Sequence, residues 1–477
     1  MEKETFEKVR QWIQAHKEDM IADLQSFARI RSVSRADLGV PGAPFGQECR
    51  TILDFALNRA REMGFAVEDH EGYCGSAILG DGENAIGVAA HLDVVPEGDK
   101  WVFPPYGATR QGDFLIGRGV SDNKASAILG LYVMQMLREW GYPKKHGFRL
   151  LMGCSEETGM EDFRYFREHY TCPKFSLVAD ASFPVNYAQK GSMGGWMDMD
   201  AGDQILSFTG GEVPNMVPPH AKAVLALADG QVFRDTLERG FPDVKERFTI
   251  ESENGQTTIT VQGKAAHAAG PEAGLSAIHL LAALLTRSQA LSGQSAKAAK
   301  AIADMTSNYY GENAGIACED PDTGKTTMVC GVIRQEGRKL SLSLDCRLSL
   351  AAKADETVKA MEAYADSLGF TPVGIHAGAP VYIPKDDPKV LALQELYRGI
   401  TGDDREPYTM GGGTYSRVLP NAVTYGPGMP TMRERPDFIP EDHGGAHSPD
   451  EYLYIPAWLE GCAVYACALM ELDDLVD

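Results

Sequence analysis

The sequence has no run of about 18 apolar residues, the length needed to cross a bilayer. Its longest apolar stretch, near Ala277 to Leu285, contains His279 and suits a core helix. It has no G-x-S-x-G elbow, which weakens a serine-hydrolase reading. It has no C-x-x-C, and its 9 cysteines are an odd number without paired spacing. That pattern fits reduced thiols, and hence a cytoplasmic protein. Positive charge is scarce: 45 Lys and Arg stand against 67 Asp and Glu, for a formal net charge of −22 spread along the chain. Such a surface repels nucleic acid and anionic lipid, so neither is an expected partner. The opening MEKETFEKVRQWI is charged and amphipathic, unlike a signal peptide.

What is present is an ordinary globular composition, 44% hydrophobic and 9% aromatic. At 477 residues the chain is too long for one core. Apolar spacing predicts helices over about 5–30, 46–63 and 123–140. Strands are expected at 66–68, 76–79, 85–90, 148–153 and 175–179. Their alternation argues for an α/β domain with a mostly parallel sheet and helices on both faces. After Gln189 the texture changes to alternating strand pairs, 247–251 with 256–261 and 326–334 with 339–347. Helices follow at about 271–291 and 354–367. From about Val381 the α/β pattern returns and ends in a helix from about Ile455. The order is best explained by an α+β domain, 189–379, inserted into a discontinuous catalytic domain, 1–188 and 380–477.

Five separated segments carry acids and histidines near expected strand ends: His91-Leu92-Asp93, Ser121-Asp122-Asn123-Lys124, Ser155-Glu156-Glu157, Ala179-Asp180-Ala181 and Ala446-His447-Ser448. Open α/β sheets gather ligands at the carboxyl ends of their strands. Imidazoles and carboxylates are the ligand types of a hydrolytic zinc site. Each segment also has a plainer explanation. Asp122 could be only a helix N-cap, and Glu156-Glu157 only a surface turn. His443 competes with His447 but lies in a glycine-rich loop. If Asp122 bridges two ions, His91 and Asp180 hold one, and Glu157 and His447 the other, three carboxylates meet four positive charges. One hydroxide completes neutrality, and Glu156 is left to take a proton.

HLDVVPEGD, GRGVSDNKA, SEETGMED, GKAAHAAGPEAGLSA, GGGTYSR and AHSPDEY occur in this order across the chain. Together they resemble the signature segments of the zinc aminoacylase, carnosinase and ArgE/DapE-type exopeptidase family, most closely its dipeptidase V branch. The resemblance implies two zinc ions, with manganese or cobalt as substitutes, held by His91, Asp122, Glu157, Asp180 and His447. It implies Glu156 as general base and acid, Asp93 orienting His91, and a cis peptide after Asp122. The inserted domain would be a lid. From it His267 would polarise the scissile carbonyl, and Asn215 and Arg347 would contact the substrate. Gly412, Gly413 and Thr414 would lie near the substrate carboxylate. Asn123 departs from the aspartate common in that branch, and Ala125 from a glycine.

The expected function is metal-dependent hydrolysis of dipeptides with a free amino terminus, by a monomer acting on small peptides. A deacylase of N-acylated amino acids or a carboxypeptidase would use the same metal site. A non-catalytic binding protein on an old enzyme scaffold is the remaining alternative. Several motifs look like decoys. Gly80-Asp81-Gly82-Glu83-Asn84-Ala85 precedes a strand rather than a helix, so it reads as a hairpin turn and not a dinucleotide loop. Gly324-Lys325-Thr326 is half a P-loop, His220 reads as solvated, and Cys154 as a buried strand residue.

Overall fold

The computed structural model describes residues 3–476. The chain divides into two compact units. The first is built from the segments up to Ala188, Ile383–Tyr408, and Gly413 onward; the second is Gln189–Tyr382 with Thr409–Gly412.

In the first unit the main sheet runs in the order Ala66–His70, Cys74–Leu79, Gly147–Gly153, Ala85–His91, Phe175–Val178, Ala422–Tyr425, Val185–Gln189. The middle of this order is parallel and its flanks are antiparallel. Every residue of Ala85–His91 and of Gly147–Gly153 is buried. That is why these strands read as unbroken apolar runs rather than alternating ones. The helix Lys124–Glu139 packs on both of them. The expected hairpin at Gly80–Asn84 is not one: Gly147–Gly153 lies between the two strands that this turn joins. A short turn reads the same in sequence whether or not a third strand enters the gap.

The expected first helix is two, Lys3–Ala15 and Lys17–Ala28, broken at His16. The His16 ring stacks on Trp12 and its Nδ1 lies 2.8 Å from the Trp12 carbonyl oxygen. The C-terminal helix Ile455–Leu475 corrects the reading that nothing here is long and apolar enough to span a bilayer, since by length and composition it is. However, 83% of its apolar window is buried inside the protein, so it serves as a core helix.

The second unit holds an antiparallel sheet in the order Phe248–Glu253, Gln256–Gln262, His220–Leu225, Ile205–Gly210, Ile333–Glu336, Lys339–Leu348, Gly191–Asp200, Thr371–Gly378. Burial alternates along Gln256–Gln262 and His220–Leu225, as it must when one face is covered. The covering helices are Gln231–Gly240, Ala277–Ser288, Gly293–Met305 and Ala354–Leu368. Ser276 caps the second of them by accepting from the His279 amide. The expected strand 326–334 is two pieces, Thr327–Val329 and Ile333–Glu336. The break falls at Gly331, where a Cβ would run into the backbone carbonyls of Val213, Pro214 and Met216.

Candidate metal centre

Sheet register creates the centre. His91 pairs with Gly153 and Ala89 with Val178 across parallel ladders. Parallel neighbours end at one edge, so His91, the turn after Gly153 and the turn after Val178 emerge together. The structure brings His91, Asp93, Asp122, Glu156, Glu157, Asp180 and His447 into one cluster. His91 Nε2 lies 3.1 Å from Asp122 Oδ1 and 3.9 Å from Asp180 Oδ1. His447 Nε2 lies 3.2 Å from Asp122 Oδ2 and 3.0 Å from Glu157 Oε1. The two oxygens of Asp122 thus face different imidazoles. One potential ligand atom each from His91, Asp122 and Glu157 lies within 4.8 Å of the others, as does one each from His91, Glu156 and Asp180. The Asp122–Asn123 peptide is cis.

The cluster suits cations. Burial and neighbouring acids push Glu156 well above the usual carboxylate range. The same causes raise Asp180 to about 8. Burial opposes ionisation of Asp122 too, yet hydrogen bonds from His447 and His91 hold it below its ordinary value. Hydrogen bonds to Asp122 and Glu157 raise His447 to about 10. His91 is raised despite its burial, by Asp122 and Asp93. Crowded carboxylates that retain protons, and imidazoles that hold theirs tightly, are groups waiting for a divalent charge.

Two buried carboxylates fix the turn that carries Glu156 and Glu157. Asp162 accepts from the amides of Cys154 and Ser155 at 2.6 and 2.8 Å, and from the Tyr415 hydroxyl. Asp93 accepts from the amides of Glu156 and Glu157 at 3.2 and 3.1 Å. Asp93 therefore does more than flank His91, whose Nδ1 lies nearer the Asp93 carbonyl oxygen (2.9 Å) than its carboxylate (3.5 Å). Gly153 must be glycine, because a Cβ there would overlap the Tyr415 hydroxyl and the Asp162 carboxylate.

A third buried acid, Glu451, shapes the Asp122 loop. It pairs with Arg118 at 2.8 Å and accepts from the amides of Gly119, Ser121 and Asp122 at 2.9–3.0 Å. Sequence reasoning passed over Asp162 and Glu451. Glu451 lies inside AHSPDEY and so was in view, but nothing local marked it as buried. His443, the competitor of His447, is buried and bonded through Nδ1 to Asp450, which also accepts from the amides of Val102 and Phe103. Cys154 is buried, with its thiol pushed well up by Cys49 and burial.

Asn123 is explained by its partners. Its Nδ2 donates to the Ala179 carbonyl and to Asp180 Oδ1 at 2.7 and 2.9 Å, while its Oδ1 accepts from the His91 amide at 3.2 Å. Two acceptors on one side and a donor on the other define the amide orientation. We predict that Asn123→Asp, which sets a carboxylate against Asp180, weakens divalent-cation binding about 10–100-fold. Competition against a chromophoric chelator reads this directly, and unchanged affinity would refute it.

The other expected site residues lie in the second unit or at its edge. His267 pairs with Met216 in a short ladder, and the Ala268 amide donates to the Asn215 carbonyl at 2.9 Å, so His267 and Asn215 are neighbours. His267 Nδ1 accepts from the Ala269 amide, and burial and Arg347 lower its pKa, so its neutral form is favoured. Arg347 gives Nε and Nη2 to the two oxygens of Asp345 at 2.8 and 3.0 Å, and Nη1 to the Gly411 carbonyl at 3.3 Å. Asp345 was not singled out in the sequence. Gly412 ends the second unit and Gly413 and Thr414 resume the first. The buried Thr414 hydroxyl accepts from the Ser416 amide and meets Thr424 Oγ1 at 2.7 Å.

This fold and cluster define a class, the metal-dependent hydrolases built on an α/β sheet with an inserted α+β unit. Residues 87–471 match the family model described as peptidase family M20/M25/M40, and the chain belongs to that family. It is therefore a peptidase, a hydrolase of peptide bonds, and its family implies a divalent metal. The chain is similar to "Putative dipeptidase YtjP" of Bacillus subtilis, 29% identical over 96% of this chain and 97% of the relative. It is also similar to "Putative dipeptidase SAR1836" of Staphylococcus aureus, 30% identical over 87% of this chain and 90% of the relative. The fold is shared with human carnosine dipeptidase 1, at a TM-score of 0.59 and 14% identity over 98% of this chain and 99% of that one. The di-peptidase Dug1p of Saccharomyces cerevisiae shares it too, at 0.59 and 12% over 98% of each chain.

Proposed function

We propose that this peptidase hydrolyses dipeptides with a free amino terminus, using two zinc ions for which manganese or cobalt can substitute. The observation that carries the reading is Asp122, with one oxygen turned to His91 and the other to His447. A carboxylate so placed could be shared by two cations, one of which His91 and Asp180 would also hold and the other Glu157 and His447. When bound, such a pair polarises a carbonyl and lowers the pKa of water toward about 7.

The chain's own groups do the rest. The Glu156 carboxylate makes no hydrogen bond among the described residues, so it is free to accept a proton from the attacking water and return it to the leaving amine. Asp93 keeps it in place through the backbone. The second unit acts as a lid: neutral His267 supports the carbonyl oxygen as negative charge develops on it. Arg347 and Asn215 hold the substrate, with Gly412, Gly413 and Thr414 near its carboxylate. Asp345 takes one edge of the Arg347 guanidinium, which leaves the remaining Nη hydrogens for that carboxylate. The size of the inserted segment favours a monomer, and nine free cysteines among the described residues suit a reducing compartment such as the cytoplasm.

The test is hydrolysis of beta-Ala-His, Leu-Leu, an N-acetylated amino acid and a tripeptide, with added zinc or manganese and with chelator. We expect metal-dependent cleavage of the free dipeptides. Cleavage of the acetylated compound alone would move the protein to the deacylases. A protein with verified metal and no turnover would leave only a binding role.

A further inference from the structure

Beside the metal cluster the first unit holds a cavity of about 450 Å³. Asp122 and Asp180 form part of its wall, so it opens directly onto the groups that surround the reacting bond. The rest of the wall is mainly apolar, although Ser121, Asn123, Ser182, Arg433 and Glu434 also reach it. Met429 and Met432 come from the loop after Ala422–Tyr425, Tyr452 and Tyr454 from the short strand before the last helix, and Ala457 and Trp458 from that helix's first turn. The catalytic scheme above uses none of these six. A concave, aromatic-lined cavity of this volume has the size and lining of a small-molecule subsite, and two methionines allow its shape to adapt.

We propose that this cavity is the side-chain subsite for the amino-terminal residue of the dipeptide, and that it selects a large apolar or aromatic side chain there. The proposal rests on the dipeptidase reading. That reading gives the substrate carboxylate to Arg347 and leaves the residue on the other side of the scissile bond to be held by a subsite beside the metal ligands, which this cavity supplies. Its floor adjoins Asp122 and Asp180, so a side chain inside it belongs to a residue already bound at the metal centre. A glycine or alanine leaves the cavity to water, whereas leucine, methionine or phenylalanine removes apolar surface on both sides.

Two dipeptide series separate the possibilities, using the full chain with its metal. The first series is Gly-Gly, Ala-Gly, Leu-Gly, Met-Gly and Phe-Gly; the second is Gly-Ala, Gly-Leu, Gly-Met and Gly-Phe. We expect kcat/KM to rise at least tenfold from Ala-Gly to Leu-Gly, since a hydrophobic pocket discriminates by roughly 10–200-fold per methylene. The second series should change much less. Ala457→Phe, which fills the cavity, should erase the advantage of Leu-Gly and Phe-Gly while leaving Ala-Gly near its wild-type rate. That retained rate shows the variant is folded. Met432→Trp, from another element of the wall, should do the same. A flat first series, or an Ala457→Phe enzyme that keeps its preference for Leu-Gly, overturns the subsite while the dipeptidase reading stands. Failure to cleave any member of either series would instead strike the reading beneath it.

Discussion

Glu156→Ala lowers kcat by about 10²–10⁴-fold, the range for removing a positioned general base, and leaves the metal content of the protein unchanged. The carboxylate is pushed above its ordinary range by burial, then by Asp180, and further by Glu157 and Asp93. Divalent charge beside those acids offsets their repulsion and brings Glu156 toward the pH at which it can both take and return a proton. Its carboxylate supports no hydrogen bond among the described residues, so the substitution costs little structure. Glu156→Gln should match alanine in rate, because an amide cannot accept the proton as a base. Metal analysis of the purified variants beside single-turnover rates decides the matter. A variant that loses its metal makes Glu156 a ligand, and one that keeps a near-normal rate removes it from the reaction.

Metal uptake by the metal-free protein near pH 7.5 releases at least about two protons, and apparent affinity rises about a hundredfold per pH unit through the neutral range. His447, raised to about 10 by Asp122 and Glu157, is protonated there. His91 is raised as well, by Asp122 and Asp93 against its burial, and Asp180, raised to about 8 by burial and neighbouring acids, is largely protonated. Imidazole and carboxylate bind metal in their deprotonated forms, so His447 and Asp180 each lose a proton on uptake. Stability of the metal-free fold runs the other way. A histidine whose folded pKa is raised contributes stability fully below about 6.5, and the His447 contribution is lost as pH rises through about 10. Mildly alkaline solution therefore loosens the empty protein and tightens its hold on metal. Titration calorimetry in buffers of different ionisation enthalpy counts the protons. A count near zero would mean that the imidazoles are already neutral.

Three of the ligand-bearing segments were legible in the sequence because each pairs an apolar strand with an abrupt polar end, as Ala85–His91 does before Asp93. The acids that hold them were not. Asp162 stands in the first turn of the helix Glu161–His169, where an acid is expected for the helix dipole alone, yet it faces inward onto two amides. Its direction depends on the turn after Gly153 folding back over it, which no local pattern encodes. The same holds for Asp345. It sits two residues before Arg347 on one strand face, and only the extended register makes them a pair. Misjudged boundaries have similar causes. The break at Gly331 answers carbonyls from Val213 to Met216, more than a hundred residues earlier. His447 could be ranked above His443 in the sequence, but only the bond from His443 to Asp450 accounts for the second histidine.

Glu451 joins two distant stretches of the chain, since the Ser121 amide it accepts from is 330 residues upstream. A chain emerging from the ribosome at about 5–20 residues per second therefore spends roughly 15–60 s with the Asp122 loop made but unsupported. His447 arrives in that same late stretch. During synthesis the nascent chain has neither its last imidazole nor the carboxylate that shapes the Asp122 loop. Competence as a peptidase is thus deferred until His447 and Glu451 have both been made, long after the Asp122 loop they complete.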